Sequence, residues 1–267
     1  MKIIKQAVEI GNGAAVYVPK EYKGKNVTII LPDGIYDIKK RILSELIDYM
    51  DNILGVYLYG SYARGEHTKE SDIDILIIVK DKDENIKKIL KNEFSLDARI
   101  ATLDSIKKSL KDIPLLIYPI IKESIVWINP TLLDELKKYK LDYKKLKWNF
   151  DEIKRTIKIV EDFINLDDEI SSSHIYSLLM RIRLCFIIEC LLKEKIFSNK
   201  GVYNLLKDNK FSSSEINKFF KIYREVRENN ESKEKISKEE ILKLLNFLKE
   251  YSHKIENESK KKTKKRN

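Results

Sequence analysis

Two short motifs, Gly60-Ser61 and Asp72-Ile73-Asp74, contain the residues best suited to chemistry in this chain. Gly60-Ser61 ends one apolar run and Asp72-Ile73-Asp74 begins the next. Glycine lets a ligand approach the backbone closely, and N–H groups exposed where a turn begins a helix bind phosphate. Ser61 adds a hydroxyl to this turn and Arg64 adds a cation. The spacing therefore predicts a phosphate-binding turn beside a pair of carboxylates.

The carboxylate pair predicts a metal site. On a strand, Asp72 and Asp74 point to the same face, where they repel each other unless a divalent cation neutralises them. Asp97, inside the next strand candidate, supplies a third carboxylate. Asp104 is a poorer rival because helix-like sequence follows it, where its side chain would act as a cap. Three carboxylates facing a phosphate-binding turn are what two-metal phosphoryl transfer requires.

The composition restricts the class of protein. The chain has 267 residues, 43% hydrophobic and 35% charged, with a net charge of +10. No apolar run approaches the roughly 18 residues of a membrane helix, and the first residues do not form a signal peptide. We therefore expect a soluble, cytoplasmic protein with no membrane partner. Cys185 and Cys190 predict buried, inert thiols, and three histidines are too few for a histidine metal site, which leaves oxygen ligands and Mg²⁺.

The pattern changes along the chain and predicts four segments. They are a short all-β segment over residues 1–34, an α/β domain with a small mixed sheet over 35–130, an all-α helical bundle over 131–258, and a basic disordered tail over 259–267. In the first segment the strands are expected at 3–10, 15–18 and 27–31. In the second they are expected at 54–59, 73–79, 95–102 and 125–128. The bundle helices are expected at 150–165, 172–195, 200–208, 213–228 and 238–256.

The segment from Gly60 to Asp74, GSYARGEHTKESDID, resembles the DNA polymerase beta-like nucleotidyltransferase superfamily. It is most similar to the minimal nucleotidyltransferases, which include antitoxin-type protein adenylyltransferases and relatives of aminoglycoside nucleotidyltransferases. The resemblance covers residues 38 to about 128. It implies that Gly60 and Ser61 hold the nucleotide phosphates, that Asp72 and Asp74 bind two Mg²⁺ ions, and that Asp97 completes the metal site.

The activity implied by this resemblance is transfer of AMP from ATP to an acceptor hydroxyl. The favoured acceptor is a protein, such as a HEPN-type toxin, in an antitoxin-like role. Two alternatives remain open. One is the same chemistry on a small molecule of the aminoglycoside type, and the other is a DNA-binding regulator that only senses nucleotides.

The first segment resembles AbrB-like swapped-hairpin DNA-binding domains, through VEIGNG followed by VYVPKEYKGKNV. That resemblance implies a homodimer that binds DNA and regulates its own expression. The candidate phosphate contacts are Lys2, Lys5, Lys20, Lys23 and Lys25. A plain dimerisation barrel with ordinary surface lysines remains the alternative.

The helical third resembles the bundles that follow nucleotidyltransferase domains and form part of the acceptor site. Such bundles are related to HEPN domains, whose ribonuclease members carry Arg-x(4–6)-His. Neither Arg224 nor Arg227 has a histidine at that distance, so ribonuclease activity is not expected. Residues 223–227 either line a substrate cleft or form a solvated helix face.

Overall fold

The structure is a computed structural model that describes residues 8–11, 13–25, 35–68, 71–91, 96–166 and 171–264. The chain forms two compact units, Met1–Leu43 and Ser44–Asn267. The candidate site and the helical bundle both belong to the second unit, and each unit is described by itself below.

The described part of the first unit contains a β-hairpin of β1 (Val8–Ile10) and β2 (Gly13–Ala15). Gly11 has φ +56°, and the tight connection it begins pairs Ile10 with Gly13. The strand that we predicted over residues 15–18 is therefore placed wrongly, because this pairing moves it to Gly13–Ala15. A single 3₁₀ turn (Lys20–Tyr22) follows. The strand predicted over 27–31, Lys2 and Lys5 lie outside the described residues.

A mixed four-stranded sheet forms the centre of the α/β part of the second unit. Its strands are β3 (Ile53–Tyr59), β4 (Ile73–Val79), β5 (Leu96–Thr102) and β6 (Ile125–Ile128). They lie in the order β5-β4-β3-β6, with β3 antiparallel to both of its neighbours and β4 parallel to β5. Nearly every residue of β3 and β4 is buried, which explains their continuous apolar sequences. The prediction of a small mixed sheet is confirmed.

Helix α1 (Ile35–Glu45) lies almost wholly in the first unit. In the described part of the second unit, five helices accompany the sheet, namely α2 (Gly60–Ala63), α3 (Glu84–Lys91), α4 (Leu103–Asp112), α5 (Pro114–Glu123) and α6 (Pro130–Lys137). Pro114 and Pro130 each stand at a first helical position, where the missing N–H costs no hydrogen bond. The short helix α2 connects β3 to the loop that leads into β4, so it carries the Gly60-Ser61 motif.

Five helices form the bundle. They are α7 (Lys147–Asn165), α8 (Ser172–Leu192), α9 (Asn199–Asp208), α10 (Ser213–Arg227) and α11 (Lys238–Lys264). All five predicted helices are present. Helix α8 is the most buried of them, and one hydrophobic core continues from the sheet into the bundle. No helix in the described part of the chain is both long and apolar enough to cross a membrane.

Helix α11 extends into the segment that we predicted to be a disordered tail. Residues 259–264 belong to the helix, so the prediction is wrong for them. Glu256 forms ion pairs with Lys260, one turn later, and with Lys154 on α7, while Ser259 is buried. These contacts continue the helix through a lysine-rich sequence whose composition alone indicates disorder.

Both cysteines are buried and free, as predicted. Burial raises the pKa of the Cys185 thiol to about 12 and that of Cys190 to about 11. Because the thiolate is the reactive form, both side chains act as small apolar residues of the bundle core.

Candidate active site

The end of β3 brings the Gly-Ser turn (residues 60–63) against the start of β4. Tyr59 pairs with Asp74 across the two strands, and Gly60 follows with φ +73°. A Cβ atom at Gly60 would lie 1.9 Å from Oδ2 of Asp74. The position therefore requires glycine for two reasons: its backbone lies in the left-handed region, and the carboxylate occupies the space of a side chain.

The three predicted carboxylates lie at one edge of the sheet. Asp74 and Asp97 are directly paired in the parallel ladder of β4 and β5, and paired residues of adjacent strands point to the same face. Asp72 precedes β4 by one residue and is exposed, as is Asp97, whereas Asp74 is half-buried. The structure thus brings Asp74 and Asp97 together and leaves Asp72 at the solvent side of the same edge.

Negative charges accumulate around Asp74. Burial raises the pKa of Asp74 to about 6, and the charge of Asp97 adds to this effect. Arg64 acts in the opposite direction, while Glu123 and Asp72 raise the pKa further. An excess of carboxylates at a half-buried position is the environment that a divalent cation would neutralise.

The oxygen atoms of Asp72, Asp74 and Asp97 fit a hard cation such as Mg²⁺, which takes carboxylate ligands and retains several waters. Among the described residues, no three His, Cys, Asp or Glu side chains converge closely enough to form a ready-made metal site. The three carboxylates therefore share a sheet edge without forming a closed ligand cluster.

Asp104 lies apart from this edge, in the first turn of α4, where it is exposed. Thr102 is the N-cap of that helix, with its hydroxyl oxygen accepting a hydrogen bond from the Ser105 N–H at 3.2 Å. The prediction that Asp104 would act as the cap is therefore wrong. The strand register brings Asp97, and not Asp104, level with Asp74.

Glu123, at the end of α5, is a residue of this site that the sequence did not reveal. Its Oε1 accepts a hydrogen bond from the Gly60 N–H at 2.9 Å, and its Oε2 accepts one from Nη1 of Arg64 at 2.8 Å. We expected the Gly60 N–H to bind phosphate, but in the structure it donates its hydrogen bond to Glu123. The Ser61 hydroxyl makes no hydrogen bond to the described part of the chain and remains the side-chain donor of the turn.

Arg64, expected to face the phosphates, is held between two carboxylates. It pairs with Glu123 at 2.8 Å and with Glu66 at 3.1 Å, and its guanidinium lies 5.5 Å from the centre of the Phe197 ring. Only 14% of its side chain is exposed. Arg64 therefore connects the Gly-Ser turn to the bundle as well as supplying a positive charge near Asp74.

Glu66 is a second residue that the sequence did not reveal. Its carboxylate accepts hydrogen bonds from the backbone N–H groups of Asn199 (3.1 Å) and Lys200 (3.2 Å), at the first turn of α9. Burial raises the pKa of Glu66, but the hydrogen bonds from these N–H groups and from Arg64 outweigh burial and hold the pKa below its usual value. The ionised carboxylate thus joins the α/β part of the unit to the bundle.

The bundle contributes positive charge and aromatic rings close to Arg64. The Arg183 guanidinium lies 5.1 Å from the centre of the Phe197 ring and 4.9 Å from that of Tyr223, and its Nη1 donates to Oδ1 of Asn199 at 2.7 Å. Burial lowers the pKa of Arg183, and the charges of Arg64 and Arg227 lower it further. This region (Arg183, Phe197, Tyr223 and Arg227) is called the arginine–aromatic cluster below.

Comparison with known proteins identifies the family of the α/β part. The model of the family described as "Polymerase beta, Nucleotidyltransferase" matches residues 40–130. A putative protein adenylyltransferase of Methanocaldococcus jannaschii is 36% identical over 107 residues, which are 39% of this chain and 90% of that protein. The chain belongs to the polymerase beta-like nucleotidyltransferase family. This confirms the resemblance of residues 38–128; the AbrB-like resemblance of the first segment stays a prediction.

Further matches to this nucleotidyltransferase are shorter or more distant. Two other putative protein adenylyltransferases of M. jannaschii are 52% identical over 33 residues (12% of this chain, 27% of that protein) and 60% identical over 30 residues (11% and 30%). Among solved structures, spectinomycin adenyltransferase AAD(9) from Enterococcus faecialis, with ATP and spectinomycin, has a TM-score of 0.45 at 15% identity. That match covers 82% of this chain and 98% of the other. A likeness at this TM-score supports no argument about function.

Proposed function

We propose that the chain is a Mg²⁺-dependent adenylyltransferase that transfers AMP from ATP to a hydroxyl of a protein. The observation that carries this proposal is the direct pairing of Asp74 with Asp97 beside the Gly-Ser turn. The 36% identity to a putative protein adenylyltransferase, over 90% of that protein, supports the adenylyl donor and the protein acceptor.

In this proposal the chain positions the reactants around one phosphorus atom. The acceptor oxygen bonds to the α-phosphorus, the bond from that phosphorus to the bridging oxygen of the β-phosphate breaks, pyrophosphate leaves, and the acceptor hydroxyl releases its proton to solvent water. Ser61 would donate a hydrogen bond to the phosphates, while Asp72, Asp74 and Asp97 would hold the magnesium. Bound Mg²⁺ supplies charge neutralisation for the triphosphate and lowers the pKa of the acceptor hydroxyl.

The arginine–aromatic cluster favours a protein acceptor over an aminoglycoside. Arg183 and Arg227 add positive charge on the bundle side of Arg64, and the Phe197 ring is contacted by both Arg64 and Arg183. An aminoglycoside is a polycation and needs carboxylates around it, whereas a neutral or acidic protein segment with a hydroxyl side chain is compatible with this surface. Residues 223–227, which we expected either to line a cleft or to be solvated, contribute Tyr223 and Arg227 to the cluster.

A transfer experiment tests the proposed function. Wild-type chain, α-labelled ATP and Mg²⁺ are incubated in a lysate of the source organism, beside the Asp72→Ala, Asp74→Ala double variant. We expect a labelled protein band with the wild type and no more than about 1% of it with the variant, together with pyrophosphate release. Label only in small molecules would favour the aminoglycoside-type alternative. ATP binding without any transfer would favour the nucleotide-sensing regulator.

For the first unit, we propose a homodimer that binds DNA. The exposed side chains of Val8, Ile10 and Tyr17 support a contact with a second copy, and Lys20, Lys23 and Lys25 are exposed. Sedimentation of the full chain is expected to show a dimer. In a separate binding assay, this dimer is expected to bind DNA from the promoter of its own gene. A Lys20→Gln, Lys23→Gln, Lys25→Gln variant should remain dimeric and bind that DNA at least tenfold more weakly. A wild-type monomer would contradict the dimer, and unchanged DNA affinity of the variant would contradict the role of these lysines.

A further inference from the structure

Glu66 connects two parts of the second unit that are far apart in sequence. It lies just after the Gly-Ser turn, and its hydrogen-bond partner Asn199 is 133 residues later. Oε2 accepts hydrogen bonds from the Asn199 N–H at 3.1 Å, from the Asn199 side-chain amide at 3.2 Å and from Nε of Arg64 at 3.1 Å. Oε1 accepts one from the Lys200 N–H at 3.2 Å. Both carboxylate oxygens are therefore engaged.

These contacts continue, without interruption, to the backbone of the turn. Arg64 uses Nε for Glu66 and Nη1 for Glu123, so the two carboxylates hold its guanidinium in one orientation. Glu123 uses its other oxygen to accept the hydrogen bond of the Gly60 N–H at 2.9 Å. The chain Glu66–Arg64–Glu123–Gly60 is thus linked by hydrogen bonds of 2.8 to 3.1 Å.

The Gly-Ser turn also has local backbone hydrogen bonds, from the N–H groups of Arg64, Gly65 and Glu66 to the carbonyls of Gly60, Tyr62 and Ser61. Helix α2 is a single turn of four residues, and its N-cap, Tyr59, makes no side-chain capping hydrogen bond. Gly60 has φ +73° and lies against the carboxylate of Asp74, which its neighbours make electrostatically unfavourable. Contacts from outside the turn therefore add restraint to a short segment with a strained backbone position.

We propose that Glu66 is a positioning residue for nucleotide binding, which fixes the Gly-Ser turn through Arg64 and Glu123 from the start of α9. The inference rests on the proposed function, because it assumes that this turn binds the phosphates of ATP. The negative charge and both oxygens of Glu66 are required. A glutamine offers one acceptor oxygen, and its NH₂ group would face the N–H donors of α9 or of Arg64.

Glu215 provides a matched control. It is the N3 residue of the capping box of α10, where its Oε2 accepts a hydrogen bond from the Ser212 N–H at 2.7 Å, and it pairs with Lys243 at 2.8 Å. Like Glu66, it is a carboxylate at the start of a helix with a pKa held below its usual value, where hydrogen bonds from Lys243 and Ser212 outweigh the effect of burial. Its partners lie within the bundle and do not include Arg64, Glu123 or the turn.

The test measures binding of α,β-methylene-ATP with Mg²⁺ to the full chain, by calorimetry, together with thermal unfolding. We expect Glu66→Gln to weaken binding about tenfold and Glu215→Gln to change it less than twofold, although both variants unfold at similarly lower temperatures. A loss of folded protein lowers the number of binding sites and leaves their affinity unchanged, so affinity separates positioning from stability. In an Arg64→Gln background, Glu66→Gln should cause little further loss of affinity, since the two residues act in one chain.

The outcomes separate this inference from the proposed function. Wild-type affinity in folded Glu66→Gln, or equal losses in Glu66→Gln and Glu215→Gln, would overturn the positioning role whatever the transfer experiment gives. If the wild type binds the analogue and labels no acceptor, the proposed transfer fails while the effect of Glu66 on affinity still stands. A wild type that does not bind the analogue overturns both.

Discussion

Asp74→Asn is expected to lower adenylyl transfer by about 10³-fold or more and, without Mg²⁺, to raise the unfolding temperature by about 2–4 °C. Activity falls because a neutral amide is a poor ligand for a divalent cation whose contribution is several kcal/mol. Stability rises because the ionised carboxylate is half-buried beside Asp97, with Glu123 and Asp72 nearby. Asparagine keeps the shape and removes this repulsion. Thermal unfolding and pyrophosphate release under identical conditions measure both effects.

Two further substitutions, at Asp97 and Asp104, provide comparisons for the loss of transfer in Asp74→Asn. Asp97→Asn should lower transfer by about 10²-fold, since Asp97 is paired with Asp74 but is more exposed. Asp104→Asn, the matched control on α4, should retain transfer within about twofold because Asp104 lies outside the site. Transfer above a tenth of wild type in Asp74→Asn, or a larger loss in Asp104→Asn than in Asp97→Asn, would contradict the assignment of the metal ligands.

Gly60→Ala is expected to abolish measurable transfer and to lower the free energy of unfolding by about 2–3 kcal/mol. Part of the cost comes from the backbone, since φ is +73° and an L-residue pays about 1–2 kcal/mol there. The rest comes from Asp74, whose Oδ2 would lie 1.9 Å from the new Cβ and must move. Urea unfolding measures the free energy of unfolding. Label transfer measures the loss of activity that we expect from displacement of the Asp74 carboxylate.

Gly65→Ala carries the backbone cost without the close contact, so it shows the first of these two effects alone. Gly65 has a similar φ of +66°, but apart from its chain neighbours no atom of the described residues lies within 4 Å of a Cβ built there. It should therefore cost about 1–2 kcal/mol and retain transfer per folded molecule. Equal transfer in the two folded variants would show that the close contact between Gly60 and Asp74 is not needed for the reaction.

The sequence predicted those parts of the molecule whose cause is local. Apolar runs ended by Gly60-Ser61 or preceded by Asp72-Ile73-Asp74 identified β3 and β4, because a strand buried on both faces has a continuous apolar sequence. Apolar residues at helical spacing identified the five bundle helices. Placing Asp97 beside Asp74 required the register between β4 and β5, which the sequence does not give and which the structure shows.

The parts that were missed depend on contacts between distant residues. Glu66 lies in polar sequence that is typical of a solvated surface, and Glu123 lies in a short polar break between two apolar runs. The hydrogen-bond partners of Glu123 and Glu66 lie 63 and 133 residues away, respectively. No local pattern distinguishes a glutamate that caps another helix from one in water. The helical residues 259–264 were missed for a related reason, since the contacts of Glu256 with Lys154 stabilise a turn that composition assigns to a tail.

The 133-residue separation between Glu66 and Asn199 also concerns the order of events during synthesis. The Gly-Ser turn, Asp74 and Asp97 leave the ribosome well before α9 exists, so an early chain can form the sheet while the restraint on its turn is still missing. Closing a loop of that length costs about 4 kcal/mol of free energy because the chain loses conformational entropy. Burial of the bundle core must offset this cost before the contact between Glu66 and Asn199 persists. A chain whose translation stops before Asn199 would therefore carry the proposed metal ligands without the restrained turn beside them.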